Sequence, residues 1–168
     1  MNIRLAGIVS ESIVDGPGYR LAVFVQGCPH ACAGCHNPKT HDFAGGYLAD
    51  TDEIIAKLGK NPLVRGVTLT GGEPMMQAAA LAQIASCAKE KGMSVWCYTG
   101  YTLEELWREN HPDRMRLLEL VDVLVDGPYI AHERSLDLLY CGSKNQRLID
   151  MNATRRAGEI TLFVPPEW

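Results

Sequence analysis

Apolar residues in this chain come in short runs that stop at glycine, proline or cysteine. Leu21-Ala22-Val23-Phe24-Val25 is continuous and rich in β-branched and aromatic residues, the pattern of a strand buried on both faces of a parallel sheet. Val67-Thr68-Leu69-Thr70, Ser94-Val95-Trp96-Cys97-Tyr98 and Val123-Leu124-Val125 read the same way. Between the second and third runs the period lengthens: Leu81, Ile84, Ala85 and Ala88 fall at i, i+3, i+4 and i+7, which predicts a helix over 76–91 with one stripe against the sheet. Shorter helices are expected from Asp50 or Thr51 to about Leu58, from Thr102, and from near Pro112, where Leu117, Leu118 and Val121 carry the apolar face. Glu53 completes a capping box on Asp50, with Gly59 as the stop, and Thr102 and Glu105 form a second box, with Tyr101 placed to staple against Leu106. Residues 3–14 are apolar with scattered polar positions and end in the turn cluster Asp15-Gly16-Pro17-Gly18. Ile160 to Val164 is expected to form a last strand, ended by Pro165-Pro166.

Strands alternating with helices give an α/β fold with a mainly parallel sheet, curled as a partial (β/α) barrel and too short for a full eight-fold one. The 168 residues, 46% hydrophobic and 21% charged, suit a single domain over 1–168. A net charge of −4 with Lys and Arg scattered lacks the basic patch that phosphate neutralisation requires, so no nucleic acid is expected. The longest apolar run, Met75 to Ala88, is broken by Gln77, Gln83 and Ser86 and is too short to cross a bilayer, so no membrane is expected either.

The chemistry is concentrated in residues 27–38, Gly27-Cys28-Pro29-His30-Ala31-Cys32-Ala33-Gly34-Cys35-His36-Asn37-Pro38. Three thiols within eight residues call for a metal, and Cys-x3-Cys-x2-Cys lets one tight turn aim Cys28, Cys32 and Cys35 at three corners of an iron-sulfur cube, leaving the fourth iron without a cysteine. A Cys3His zinc site using His30 or His36 is the rival, but no second Cys-x-x-Cys and no His-x3-His follows. A disulfide framework fits less well, since the six cysteines sit in a chain without a secretory signal, and a reducing cytoplasm is the expected compartment. Cys87 and Cys97 read as small core residues, and Cys141 has no assigned role. The cysteine loop, Gly71-Gly72-Glu73, Tyr98-Thr99-Gly100 and Asp126-Gly127 all fall at the carboxyl ends of expected strands, the edge where such sheets bind ligands.

The cysteine loop resembles that of the radical S-adenosylmethionine (radical SAM) superfamily. The resemblance implies a 4Fe-4S cluster on Cys28, Cys32 and Cys35, with the amino and carboxylate groups of S-adenosyl-L-methionine chelated at the open iron. Gly71-Gly72-Glu73-Pro74 is similar to the superfamily's Gly-Gly-Glu-Pro motif, which implies that Gly71, Gly72 and Glu73 line the cofactor site, Gly72 most directly, together with Gly34, Cys35 and His36. Asp15-Gly16-Pro17-Gly18-Tyr19-Arg20 is similar to the opening of the glycyl-radical-enzyme activating proteins. Tyr98-Thr99-Gly100-Tyr101, Gly34 in place of the commoner aromatic, and Cys141-Gly142-Ser143-Lys144-Asn145-Gln146-Arg147 with its Gly-Ser-x-Asn-Gln signature resemble the anaerobic ribonucleotide reductase activating group. The likeness covers about residues 15–149, leaving the tail 150–168 unassigned. It implies an oxidoreductase that cleaves S-adenosylmethionine reductively and places a glycyl radical on the catalytic subunit of anaerobic ribonucleotide reductase, with a flavodoxin-like electron donor and no catalytic side chain beyond cluster and cofactor. Two alternatives stay open: an activase of a formate acetyltransferase-type glycyl radical enzyme, and a non-catalytic zinc-stabilised binding module, in which Gly71-Gly72-Glu73-Pro74 has no role.

Overall fold

The computed structural model describes residues 1–165. Strands β1 (Asn2–Ser12), β2 (Tyr19–Val25), β3 (Tyr47–Asp50), β4 (Val64–Gly71), β5 (Ser94–Tyr98), β6 (Val123–Asp126) and β7 (Arg147–Asp150) form one sheet in the order β3-β1-β2-β4-β5-β6-β7. β2, β4, β5 and β6 are the four apolar runs, and they pair in parallel. β1 joins β2, β3 joins β1 and β7 joins β6, all antiparallel, so a sheet expected to be mainly parallel is a parallel core with antiparallel flanks. The flanking strands lack continuous apolar runs because one side of each is open to water; β3 has no buried residue.

Alternation along the strands divides the core. Leu21, Val23, Val25, Val67, Leu69, Val95, Cys97 and Leu124 share one core with residues from the helices α1 (Thr51–Ile55), α2 (Ala78–Glu90) and α4 (Pro112–Leu120), among them Ile54, Leu81, Ile84, Ala85, Leu117 and Leu118. Trp96, Val123 and Val125 belong to a second cluster with Tyr98, Tyr140, Cys141, Leu148 and Phe163, in which the Trp96 ring meets Tyr140 and Phe163 edge-on at 5.1 and 5.4 Å. Arg20 is sunk beside it at 2% exposure, its guanidinium 5.6 Å from the Trp96 ring. Its N–H groups reach Thr68 Oγ1 (2.8 Å), Ser94 Oγ (2.9 Å) and the carbonyls of Pro17, Val67 and Ser94, all neutral acceptors. Burial lowers its pKa to about 10, which leaves it charged at neutral pH. The second face is thereby plugged at the amino end of the parallel strands and free at the carboxyl end.

Several helix boundaries differ from the expectation. α1 stops at Ile55 rather than near Leu58, and Asp50 accepts from Asp52 N (2.9 Å) in place of the expected box with Glu53. The long helix begins at Ala78, because Glu73 caps a short 3₁₀ turn over Pro74–Gln77 first. Thr102 caps α3 (Leu103–Glu109) through Glu105 N (3.2 Å), as its box predicts. α5 (Met151–Ala157) and its cap Asp150 had no signal strong enough to assign. The expected strand over 160–164 is reduced to an isolated bridge between Ile149 and Leu162, since only alternate residues reach β7 and Leu162 faces water. Its expected terminator Pro166 lies outside the described residues. Among the described residues, no helix is long and apolar enough to cross a membrane.

Candidate functional site

β2 ends at Val25 and leads directly into the cysteine loop. Backbone closes the base of this loop: Gly27 N donates to Thr40 O (2.7 Å) and Cys28 N to His41 O (3.2 Å). The buried amide of Gln26 reinforces the closure, with Nε2 donating to Lys39 O (2.8 Å) and Asp42 O (2.7 Å). Within the loop Cys35 N donates to Cys32 O (3.2 Å), Asn37 N points at the Cys35 sulfur (3.4 Å), and Gly34 takes φ +73° to complete the turn.

Cys28, Cys32 and Cys35 are half-buried and line a cavity of ≈290 Å³. The expected convergence of strand ends is present: Gly71 and Gly72 from β4, Tyr98, Thr99 and Gly100 from β5, and Gly127 and Tyr129 beyond β6 line the same cavity. Asp15 reaches it from the turn after β1 and, among the described residues, is the one carboxylate in its lining. Burial, with the charge of Asp15 adding, pushes the Tyr98 phenol far up, so that hydroxyl remains a neutral donor. Burial also raises the Cys28 thiol, while the backbone N–H of His30 pulls it partly back; a bound iron would supply the charge that favours the thiolate. Among the described residues, no three His, Cys, Asp or Glu side chains close on a single-ion site.

Two of the expected cofactor residues, Glu73 and Gly34, are not among the residues lining the cavity. Glu73 does not line the cavity: it is 1% exposed, and its carboxylate accepts from Met75 N (2.9 Å), Gly100 N (2.8 Å), Thr99 Oγ1 (2.8 and 3.0 Å) and His30 Nε2 (2.6 Å). Gly34 also stays out of the lining, with Tyr129 3.7 Å from where its side chain would begin. Gly71, Gly72, Cys35 and His36 line the cavity, and the His36 ring lies 5.0 Å from that of Tyr129. The bareness of Gly72 serves the protein's own backbone, since a Cβ there would collide with the Gly27 carbonyl and come within 2.9 Å of Thr40 O.

Sequence reasoning missed His30, Tyr129 and Gln146 as lining residues. Gln146 binds the far rim together: its Oε1 accepts from Gly142 N (2.8 Å) and Ser143 N (3.2 Å), and its Nε2 donates to Gly127 O (3.1 Å). Asn145 Nδ2 donates to Pro128 O (2.7 Å), and Arg147 grips the buried Asp126 and, at 2.6 Å, Glu104. The Gly-Ser-x-Asn-Gln signature is therefore the girder beneath the loop after β6. Cys141 packs beside Trp96 and Tyr140; burial, with Asp126 adding, raises its thiol to about 11, the profile of an inert packing group.

Comparison with known proteins follows the same lines. A family described as "4Fe-4S single cluster domain" matches residues 14–149. An anaerobic ribonucleoside-triphosphate reductase-activating protein from Vibrio cholerae is 38% identical over 142 residues, covering 80% of this chain and 89% of that one. Proteins of the same name from Escherichia coli K12 and Enterobacteria phage T4 are 34% and 35% identical, each over 80% of this chain and over 90% and 86% of theirs. Among solved structures, QueE from Escherichia coli aligns with a TM-score of 0.47 at 21% identity, covering 61% of this chain and 54% of that one.

Proposed function

We propose, from the premise that this chain belongs to the 4Fe-4S single cluster domain family and to the anaerobic ribonucleoside-triphosphate reductase-activating proteins, that it is a radical SAM activase which makes a glycyl radical on the catalytic subunit of that reductase. Its cofactors are a 4Fe-4S cluster and S-adenosylmethionine. The observation that supports this reading best is the meeting of three cysteines, on a loop closed by backbone, with the glycine-rich ends of adjacent parallel strands around one cavity. A partial barrel opening at the carboxyl ends of β2, β4, β5 and β6 is the corresponding form of the fold.

Bound at this site, cluster and cofactor would supply the chemistry, namely one-electron reductive cleavage of the sulfonium with release of methionine, coupled to removal of a hydrogen atom from a glycine α-carbon of the partner. Cys28, Cys32 and Cys35 hold the cluster. Gly71 and Gly72 offer bare backbone to the methionyl end, next to the loop that carries the cysteines. Asp15, in the lining, would complement the cationic cofactor, and the rings of Phe24 and Tyr98 would limit water there. No side chain needs to act as general acid, base or nucleophile.

The test is anaerobic reconstitution, followed by incubation of the reduced protein and S-adenosylmethionine with candidate partners and electron spin resonance. A glycyl radical on the ribonucleotide reductase subunit is the expected result. A radical formed only on a formate acetyltransferase-type enzyme would move the assignment to that partner, and a colourless, zinc-loaded protein would sink it. Replacing the chemical reductant with a flavodoxin-like donor, the expected physiological source, should sustain the yield.

A further inference from the structure

Three short motifs meet at one buried carboxylate. Glu73 ends β4's glycine turn, His30 stands between the first two cysteines, and Thr99-Gly100-Tyr101 ends β5. Among the described residues no Lys or Arg reaches Glu73, and its carboxylate oxygens are held by hydrogen-bond donors from three segments. Met75 N, Thr99 Oγ1 and Gly100 N come from the sheet's own rim. The fourth donor, His30 Nε2 at 2.6 Å, comes from the cysteine loop and is the one side-chain bond between that loop and the β4 and β5 ends.

The surroundings are shaped to hold that imidazole. Tyr101 meets it edge-on with centroids 4.5 Å apart, and the side chain keeps only 16% of its exposure. Gly100 is bare where a Cβ would sit 2.5 Å from the ring. Glu73 N meanwhile donates to Gly27 O (2.8 Å), so the same residue fastens the loop's entrance by backbone and its interior by side chain.

We propose that His30 is a positioning residue that sets the cysteine loop at a fixed height above the cofactor's backbone contacts by donating to Glu73, and that Glu73 acts through this tie rather than by touching the cofactor. The proposal rests on the radical SAM reading. Losing the tie leaves the three thiols and the backbone clamp at the loop's base intact, so a cluster could still be held, but the loop carrying it would no longer be fixed against the strand ends of Gly71 and Gly72.

The test compares His30→Ala and His30→Gln with the parent. Iron content should stay near the parent's in both. S-adenosylmethionine titrated into the reduced, reconstituted protein and followed by the cluster's electron spin resonance spectrum should half-saturate on the order of tenfold higher for His30→Ala, the worth of a hydrogen bond to a charged group. His30→Gln, which keeps an N–H at the same place, should recover most of that loss. In the iron-free chain, hydrogen exchange at residues 28–37 should speed up in His30→Ala while the strands stay protected. A titration and spectrum for His30→Ala that superimpose on the parent's would overturn the proposal, as would a Gln variant as impaired as the Ala variant. If His30→Ala fails to fold, His30→Phe, which keeps a ring in the same space without the donor, takes its place: it must weaken cofactor binding with iron retained, and binding equal to the parent's would overturn the proposal. A parent protein whose spectrum ignores S-adenosylmethionine would count against the radical SAM reading itself.

Discussion

The α-carbon of Gly72 lies against the carbonyl of Gly27 with no room for a side chain between them. The sequence motif suggests that glycine is needed there for the cofactor, and the geometry adds that it is needed first for the loop. Gly72→Val should therefore lose iron as well as cofactor binding, because the added methyl groups push the cysteine loop off β4. Iron determination after anaerobic reconstitution checks this; full iron with cofactor binding alone abolished would show that the loop can yield.

About four irons per chain are expected in the parent, and replacing Cys28, Cys32 or Cys35 with Ala should abolish the cluster. Cys87→Ala, Cys97→Ala and Cys141→Ala should keep it. Cys97 is fully buried and its thiol is pushed well above the usual range, so that change should cost stability rather than iron. Cluster loss in any of these three, with the fold retained by circular dichroism, would require another ligand set.

Tyr129 stands on the rim where its ring meets Gly34, His36 and Gly142. A planar face in that position suits a purine, and stacking of a base on an aromatic is worth about 1–3 kcal/mol. Tyr129→Ala should weaken S-adenosylmethionine binding by roughly tenfold on that scale. Tyr129→Phe should leave it near the parent value. Equilibrium dialysis separates the two.

Arg147 answers the Asp126 carboxylate, which is 1% exposed and otherwise takes Leu103 N (2.9 Å). Arg147→Ala should destabilise the chain by about 2 kcal/mol, less than a fully buried pair would cost because the arginine side chain is 31% exposed. Chemical denaturation measures it. An Asp126→Asn, Arg147→Ala double variant more stable than Arg147→Ala alone would identify the stranded charge as the cause.

Burial opposes ionisation of Asp122, yet Lys89 Nζ (2.6 Å), Asn152 Nδ2 (3.0 Å) and Val95 N (2.8 Å) outweigh it and hold its pKa below the ordinary carboxylate value. A depressed carboxylate contributes stability that is fully present above its unfolded pKa of about 4 and is lost as pH falls through the lower folded value. The gap in melting temperature between the parent and Asp122→Asn should be open at pH 6 and close as the pH is taken below about 4. A gap that widens in acid would reverse the assigned sign.

The four parallel strands were legible because each is buried on both faces and had to be written as a run. β1, β3 and β7 were not, since a strand with one free side can be built from almost any residues. The site divides along a similar line. Cysteine spacing and glycine-rich strand ends are local signals, and they located the cavity. The partnership of His30 with Glu73 spans 43 residues and depends on which way two side chains turn, which no spacing records. Local spacing offers His30 as a metal ligand and Glu73 as a cofactor residue; the fold adds that their side chains meet. Likewise the bracing role of Gly142 to Arg147 is not written locally, because its partners, Asp126 to Pro128, lie on another strand's end.

The two backbone hydrogen bonds that shut the cysteine loop, Gly27 with Thr40 and Cys28 with His41, involve no thiol. The loop's ends are set by the sheet and by Gln26, so the freedom that iron has to quench is confined to the residues inside the ring. Metallation is then a local ordering event, unlike that of a small zinc module whose whole fold waits for its ion. A chain stripped of its iron should then keep the holder, so that restoring the cluster would be a question of iron and sulfide supply rather than of refolding.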